Sequence, residues 1–347
     1  MVYFLLLPAM KRKSILSLVI ISLFAVQSCK QKKADEKAAA PQSGVVTESE
    51  IDKLGKEISA HPNNAEAYYQ RSKLYIASKK FRLAYEDINK AVGLDSTKPD
   101  YILTQADILF ANLQIPQATE AFQKCISMDP KNIEPYLKMA ELNLYLKKYP
   151  ESIQYANEAL KIDKHKAKAY FIKGFVFKES HDTARAISSF QTCVEQEPEN
   201  YDAYMQLGIL MTRKNNKAAV QYFNNALRIE PKSVEALYGR GLYYQDHDEL
   251  NKAMEDYTTI LQIDPSFKDA HYNLGYIHLV YLKVYDQAIK HFTDAIRCDP
   301  YFTQAYYNRG LCYENLGDIA AAAADYKQAL GIVPTYELAK AGLKRVK

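Results

Sequence analysis

Residues 303–336, TQAYYNRGLCYENLGDIAAAAADYKQALGIVPTY, contain the pattern that decides the fold. Apolar and small residues in this stretch are spaced as on two consecutive helices, and Pro334 follows the second. The same arrangement recurs about every 34 residues from Ala65 to Tyr336. Two helices in each unit of this length indicate stacked helix hairpins rather than a closed globule. The recurring residues are alanine at Ala84, Ala118, Ala186, Ala253 and Ala322, and proline at Pro130, Pro198, Pro231, Pro265, Pro300 and Pro334.

The units resemble tetratricopeptide repeats. That family places an aromatic residue at position 4, Leu-Gly at positions 7 and 8, and tyrosine at position 11 of the first helix, helix A. In the second helix, helix B, it places alanine at positions 20 and 27 and an aromatic residue at position 24, with proline at position 32. The stretch 303–336 matches this pattern best, through Tyr306, Gly310, Tyr313, Ala322, Tyr326, Ala329 and Pro334.

The resemblance implies an all-α fold, a right-handed α-solenoid of about eight hairpins. An N-terminal capping helix is expected in residues 48–64 and a C-terminal one in residues 337–347, since terminal elements with a polar outer face keep such stacks soluble. The predicted repeats are 65–98, 99–132, 133–166, 167–200, 201–233, 234–267, 268–302 and 303–336.

Small residues are expected to let the two helices of a hairpin approach closely. A glycine or alanine at position 8 of helix A would face the alanine at position 20 of helix B. The repeat at 201–233 has lost one residue in the turn between its helices, and the repeat at 268–302 has gained one. The predicted structural residues are Gly174, Gly208, Gly241, Gly275, Gly310, Ala186, Ala253 and Ala322.

The N-terminal residues predict a secretory signal peptide over 1–28. Lys11-Arg12-Lys13 precedes a short apolar run that ends at Val26-Gln27-Ser28-Cys29. This ending resembles a bacterial lipobox, which implies lipidation of Cys29 and cleavage before it. Met10 is an alternative start. An uncleaved membrane anchor is the competing interpretation, but the apolar run is shorter than the ~20 residues that a spanning helix needs.

Residues 29–47 predict a lipidated, flexible tether, because they are rich in lysine, alanine and glutamine and poor in apolar residues. Lys30 follows the lipid site where inner-membrane lipoproteins have aspartate, so the sorting rule favours the outer membrane of the cell envelope. The periplasmic and surface faces both remain open. The net charge of +4 falls to about +1 without the signal peptide, which is too balanced for a nucleic-acid binder.

Nothing in the sequence predicts catalysis or a cofactor. No Gly-rich phosphate loop, Gly-x-Ser-x-Gly or His-Glu-x-x-His motif occurs. His271, His278 and His291 could suggest a metal, but the first two occupy positions 4 and 11, so we expect packing side chains and no metal site. We therefore predict that the chain is not an enzyme.

The cysteines beyond Cys29 are expected to be structural. Cys125 and Cys193 occupy position 27, where small residues fill the core. Cys298 and Cys312 lie on consecutive helices, and the sequence leaves their pairing open. No Cys-x-x-Cys pair is present, which disfavours a zinc site.

The resemblance implies a concave groove lined by helix A positions 2, 5, 9, 12 and 13. Positions 5 and 9 are apolar or aromatic in the second half of the chain, which suits a peptide or helix from a partner protein. Some position 5 residues could instead pack between neighbouring A helices. The predicted groove residues are Phe171, Phe175, Met205, Ile209, Tyr238, Leu242, Tyr272, Tyr276, Tyr307 and Leu311.

Taken together, these features predict a lipid-anchored scaffold that binds partner proteins or peptides at a bacterial cell envelope and helps to assemble an envelope complex. The alternative is an accessory subunit of nutrient capture or cell-wall processing that binds a glycan or an enzyme. Neither the partner nor the oligomeric state can be read from the sequence.

Overall fold

The computed structural model describes residues 45–347, with side chains from residue 49 onward. The predicted signal peptide, Cys29 and most of the tether lie outside the described residues. The described part contains eighteen α-helices, one π-helical segment and no strand, so the predicted all-α fold is confirmed. The helices are α1 (Val45–Ala60), α2 (Ala65–Ala77), α3 (Phe81–Leu94), α4 (Pro99–Ala111), α5 (Ile115–Met128), α6 (Ile133–Tyr145), α7 (Tyr149–Ile162), α8 (Ala167–Glu179), α9 (Thr183–Gln196), α10 (Tyr201–Arg213), α11 (Ala218–Ile229), α12 (Val234–Asp246), α13 (Leu250–Ile263), α14 (Lys268–Tyr276), α15 (Tyr285–Cys298), α16 (Thr303–Leu316), α17 (Ile319–Ile332) and α18 (Glu337–Arg345).

The chain divides into two units, and the division falls within α9. Unit 1 is described over residues 45–189 and unit 2 over residues 190–347. In unit 1 the hairpins α2–α3, α4–α5 and α6–α7 follow one another, and α1 packs on α2. In unit 2 the hairpins α10–α11, α12–α13, α14–α15 and α16–α17 do the same, and α18 packs on α17. Within each unit, helix B of one hairpin contacts helix A of the next.

The glycine at position 8 makes room for an aromatic ring. A Cβ added to Gly310 would lie 2.9 Å from a ring carbon of Tyr326, and one added to Gly241 would lie 2.8 Å from Tyr257. Gly208 and Gly275 have the same relation to the phenylalanine at position 24 of their repeats. The nearest neighbour is therefore this ring, not the position 20 alanine that the sequence suggested. Gly174 is buried, and Ala186, Ala253 and Ala322 are completely buried.

An arginine–aspartate pair ties helix A to helix B in three repeats. Arg309 donates from Nε and Nη2 to both carboxylate oxygens of Asp325, each at 2.8 Å. Its Nη1 donates to Thr293 Oγ1 of the preceding hairpin at 3.0 Å. Such two-pronged pairs fix geometry as well as charge. The same pairing joins Arg71 with Asp87 and Arg240 with Asp256.

The turn between the two helices has one conformation throughout. One residue there has a positive φ in every repeat, and only Gly317 is a glycine, which adopts this conformation without strain. The other seven include His181 and Leu113. The residue lost from 201–233 is missing between Asn215, which holds this conformation, and Ala219 at the start of helix B.

The residue gained in 268–302 lies inside helix A, where the chain forms the π-helical segment Ile277–Leu282. Such segments arise when one residue is inserted into an α-helix. Lys283 then takes the positive φ of the turn. The insertion leaves the core of the repeat in place, because Ile277 and Leu279 remain buried.

Candidate binding face

Eight of the ten predicted groove residues lie in unit 2. Each of the helices α10, α12, α14 and α16 carries two of them. We call them the unit 2 stripe. Seven are partly exposed, whereas Met205 is buried. The other two, Phe171 and Phe175, lie in unit 1 with ring centroids 4.9 Å apart; Phe171 is partly exposed and Phe175 buried. The stripe consists of Met205, Ile209, Tyr238, Leu242, Tyr272, Tyr276, Tyr307 and Leu311.

The position 5 tyrosines of the stripe join successive hairpins. The ring centroid of Tyr272 lies 4.9 Å from that of Phe302 and 5.7 Å from that of Phe292. Tyr238 packs edge to face on Phe267, with ring centroids 5.4 Å apart. Phe302 and Phe267 each precede the next helix A, so one face of each tyrosine is used for packing. These side chains are therefore both structural and accessible.

Buried asparagines bind the hydroxyl groups of these tyrosines. Asn308 Nδ2 donates to Tyr272 Oη at 2.9 Å, and Asn273 Nδ2 donates to Tyr238 Oη at 3.5 Å, a longer contact. Burial, together with the charge of Asp269, raises the pKa of Tyr238 to about 12. Each asparagine occupies position 6 of the next repeat, and sequence reasoning did not assign it this role. The sequence did contain a pattern that indicates this hydrogen bond: a tyrosine at position 5 of one repeat and an asparagine at position 6 of the next.

The position 9 residues of the stripe are partly exposed, and Tyr276 and Leu311 also pack against buried core residues. Tyr276 contacts Tyr272 and Tyr281, with ring centroids 6.4 and 6.3 Å away. Leu242 and Leu311 are partly exposed leucines on α12 and α16. Partly exposed apolar side chains at regular spacing on neighbouring helices offer a surface that a partner can bury. The position 9 residues are therefore the part of the stripe that best indicates a binding surface.

Charged residues occupy position 9 of helix A in the first three repeats of unit 1, whereas the fourth has Phe175 there. Lys138 Nζ on α6 lies 3.0 Å from Asp107 Oδ1 on α4. Lys168 Nζ on α8 lies 2.8 Å from Glu141 Oε1 on α6. Lys138 and Glu141 are buried. Burial disfavours the ammonium ion, but the carboxylates of Asp107 and Glu141 outweigh it and raise the pKa of Lys138. We call these four residues the unit 1 charge network.

A third ion pair lies beside this network, with Lys166 Nζ 2.8 Å from Glu134 Oε1. The network links the A helices of three repeats through paired charges rather than apolar contacts. Because its charges are already paired, this face offers few side chains whose burial by a partner would be favourable. Sequence reasoning found the charges at position 9 but not their partners at positions 2 and 6.

The histidines pack together, as the sequence predicted for two of them. His271 is buried, and the rings of His278 and His291 stack with centroids 5.4 Å apart. Burial, then His278 and His271, lower the pKa of His291 to about 4. No group of three histidine, cysteine or acidic residues within 45–347 could hold a metal ion. Cys298 and Cys312 form no disulfide.

Family models identify tetratricopeptide repeats in the chain. They match residues 65–98, 176–234, 234–267 and 303–336. The chain therefore contains tetratricopeptide repeats, a class of helical scaffold that generally mediates binding of proteins or peptides and is typically non-catalytic.

Two curated proteins illustrate how distant the relatives are. A UDP-N-acetylglucosamine–peptide N-acetylglucosaminyltransferase from Giardia intestinalis is 29% identical over 31% of this chain, which spans only 7% of that protein. Stress-induced-phosphoprotein 1 from Caenorhabditis elegans is 26% identical over 62% of this chain and 67% of its own length. Such partial matches extend to the repeats and not to the activity of either protein.

One solved structure supports the fold. The Pseudomonas aeruginosa protein pilF is 16% identical, with a TM-score of 0.51 over 62% of this chain and 94% of its own. At this identity the likeness concerns the fold alone. Across residues 45–347, every helix is too short or too polar to cross a membrane.

Proposed function

We propose that the chain is a non-catalytic scaffold that holds a partner protein or peptide on the unit 2 stripe. The observation that carries the proposal is the row of partly exposed Leu242, Tyr276 and Leu311 at one repeat position, where unit 1 has a paired-charge network. A preformed helical surface loses little conformational entropy on binding, so a modest apolar area can suffice.

We further propose that Cys29 carries a lipid and that the scaffold works at a bacterial cell envelope, in the outer membrane. The basic, apolar and lipobox-like residues before Cys29 support this proposal. Several acyl chains anchor a protein stably, because each buried methylene contributes about 0.8 kcal/mol. Assembly of an envelope complex is the task we favour for such a tethered scaffold.

Capture of the native partner tests the stripe. The full chain is solubilised in detergent and the co-purifying proteins are quantified for the wild type and for Leu242→Ser/Tyr276→Ser/Leu311→Ser. A matched control changes two leucines and one tyrosine exposed elsewhere, Leu113→Ser/Tyr301→Ser/Leu316→Ser. We expect the stripe variant alone to lose its partner. Equal capture by all three proteins would refute the proposed site, and capture of a glycan-processing enzyme would favour the accessory-subunit role.

Labelling tests the anchor independently. Cells that express the wild type or Cys29→Ser are grown with radioactive palmitate. We expect label only on the wild type, together with its recovery in the outer-membrane fraction. Label that persists in Cys29→Ser would contradict lipidation at this residue.

A further inference from the structure

Acidic side chains border the unit 2 stripe at position 2 of helix A. Asp202, Glu235 and Asp269 each lie three residues before a position 5 residue of the stripe. A spacing of three places two side chains on the same face of a helix. All three are at least partly exposed, and none of them forms an ion pair within residues 45–347.

Asp202 and Glu235 repel each other, and neither forms an ion pair within residues 45–347. Burial and then Glu235 raise the pKa of Asp202. Burial, then Asp202 and Glu235, raise the pKa of the nearby Glu230. Asp202 and Glu235 therefore lie close enough for their charges to interact, each three residues before a position 5 residue of the stripe.

The third acid has a lysine next to it that is engaged elsewhere. Burial raises the pKa of Asp269, and Lys268 only partly opposes this effect. Lys268 forms an ion pair with Asp299 instead. Asp269 is also close enough to Tyr238 for its charge to raise the pKa of that phenol. Negative charge and the aromatic ring thus belong to one surface.

Unit 1 shows that the chain can pair such charges when they serve packing. There Glu134, Glu141 and Asp107 each have a lysine within 3.0 Å. In unit 2 the equivalent lysines are absent beside Asp202 and Glu235, so the repulsion between these two carboxylates is not offset by an ion pair within residues 45–347. A binding partner that supplies cations would remove this cost.

We propose that the unit 2 stripe takes a basic segment of the partner protein, whose lysine or arginine side chains pair with Asp202, Glu235 and Asp269 while its apolar side chains contact Leu242 and Tyr276. This inference rests on the proposed function and adds the chemistry of the partner. Tyrosine faces also attract cations, so the aromatic residues and the acids favour the same ligand.

Two peptide probes test the inference on the full chain in detergent. Both are fluorescent, about 14 residues long, and share their leucines; one has lysine and the other glutamate at the intervening positions. We expect the basic peptide to bind roughly tenfold or more tightly than the acidic one, with an affinity that falls as salt rises. In Asp202→Asn/Glu235→Gln/Asp269→Asn the affinity for the basic peptide should fall about tenfold and its salt dependence should flatten.

A control variant removes the same charge from other exposed positions. Glu120→Gln/Glu255→Gln/Asp286→Asn changes acids on helix B of three repeats and should leave peptide binding unchanged. Equal binding of both peptides, or equal losses in the two variants, would overturn the inference. If the charge variant still captures the native partner but the Leu242, Tyr276 and Leu311 variant does not, the proposed function stands and only the basic partner is refuted.

Discussion

The two units use the same helix A positions for different chemistry. In unit 1, Asp107 and Glu141 at position 9 are paired with Lys138 and Lys168. In unit 2, position 9 carries Leu242, Tyr276 and Leu311, and the neighbouring acids Asp202, Glu235 and Asp269 form no ion pair within residues 45–347. Yet both units share the hairpin, the turn with a positive φ and the arginine–aspartate pair. The residues that form the hairpin are therefore common to both units, whereas the residues on the exposed face of helix A differ between them.

The largest expected effect comes from breaking the unit 1 charge network. Lys138→Met removes the cation that pairs with Asp107 and leaves Glu141 with Lys168 alone, and it should destabilise unit 1 by about 3–5 kcal/mol. Hydrogen exchange, followed by mass spectrometry, should show faster exchange in α4, α6 and α8 than in the wild type, and unchanged exchange in α12 to α16. Unchanged exchange in unit 1 would contradict a structural role for the network.

A neutral version of the network provides the control. Asp107→Leu/Lys138→Met/Glu141→Leu removes the buried charges of Lys138 and Glu141 and the half-buried charge of Asp107 together, and leaves only the partly exposed Lys168. Apolar residues of similar volume often replace buried ion pairs without loss. We expect exchange in unit 1 to return close to the wild-type rate. If the triple variant is worse than Lys138→Met, packing rather than uncompensated charge accounts for the loss.

The close packing of the hairpin, which both units share, can be tested within one repeat. Gly310→Ala places a methyl group 2.9 Å from the Tyr326 ring and should cost about 1–3 kcal/mol through overpacking. Gly331 in α17 has nothing within 4 Å of an added Cβ, so Gly331→Ala should stabilise the helix by about 0.5–1 kcal/mol. Denaturant unfolding of both variants measures the difference. Effects of the same sign would argue against the close glycine–ring contact.

A smaller effect is expected from the tyrosine hydroxyl groups of unit 2. Tyr272→Phe removes the acceptor for Asn308, which is buried, and should cost about 1 kcal/mol in denaturant unfolding. Tyr301→Phe is the control, because Tyr301 is 78% exposed and should give no measurable change. A Tyr272→Phe variant as stable as the control would mean that the hydrogen bond contributes nothing.

The smallest effect concerns the acids beside the stripe. The pKa of Asp202 and of Asp269 is raised above the ordinary 3.8 by burial, so their ionised forms are less favourable in the folded state than in the unfolded chain. Their unfavourable contribution grows as the pH rises from below 3.8 through the raised values, and it is complete at neutral pH. Asp202→Asn/Asp269→Asn should therefore stabilise unit 2 at pH 7, by only about 0.5 kcal/mol because solvent screens exposed charges.

Denaturant unfolding at several pH values measures this gain. We expect it at pH 7 and not at a pH well below 3.8, where the aspartates are protonated in both states. Glu230 and Glu235 lie near Asp202, and Lys268 and Asp299 lie near Asp269. These four groups are the same in the wild type and the variant, so the difference in stability reports on the two aspartates. A loss of stability at pH 7 would contradict the view that these charges serve binding.

Sequence periodicity predicted most of the fold, because the residues that form a hairpin core recur at fixed spacing. Gly241 and Gly310 could be recognised as close-packing positions, but not the ring that each one accommodates, since this depends on how the helices rotate about each other. The π-helical segment at Ile277–Leu282 was visible only as one extra residue. The sequence could not say whether the chain would absorb it in the turn or in the helix.

The candidate site was predicted less completely than the fold. The apolar character of Leu242 and Leu311 was evident, because it depends only on residue type. The pairing of Lys138 with Asp107, and the absence of such a partner for Asp202, depend on which side chains meet between neighbouring hairpins. These ion pairs join residues of successive repeats. They could be predicted only by comparing positions between neighbouring repeats, and not from the residue spacing within one repeat.

Photo-crosslinking in cells tests the central claim, that the partner contacts unit 2, most directly. A photoreactive amino acid is placed at Leu242 on α12 or, for comparison, at the exposed position 9 residue Lys73 on α2 of unit 1. The account predicts a crosslink to the partner from position 242 and none from position 73. A crosslink from position 73 alone would contradict it and would move the binding face to unit 1.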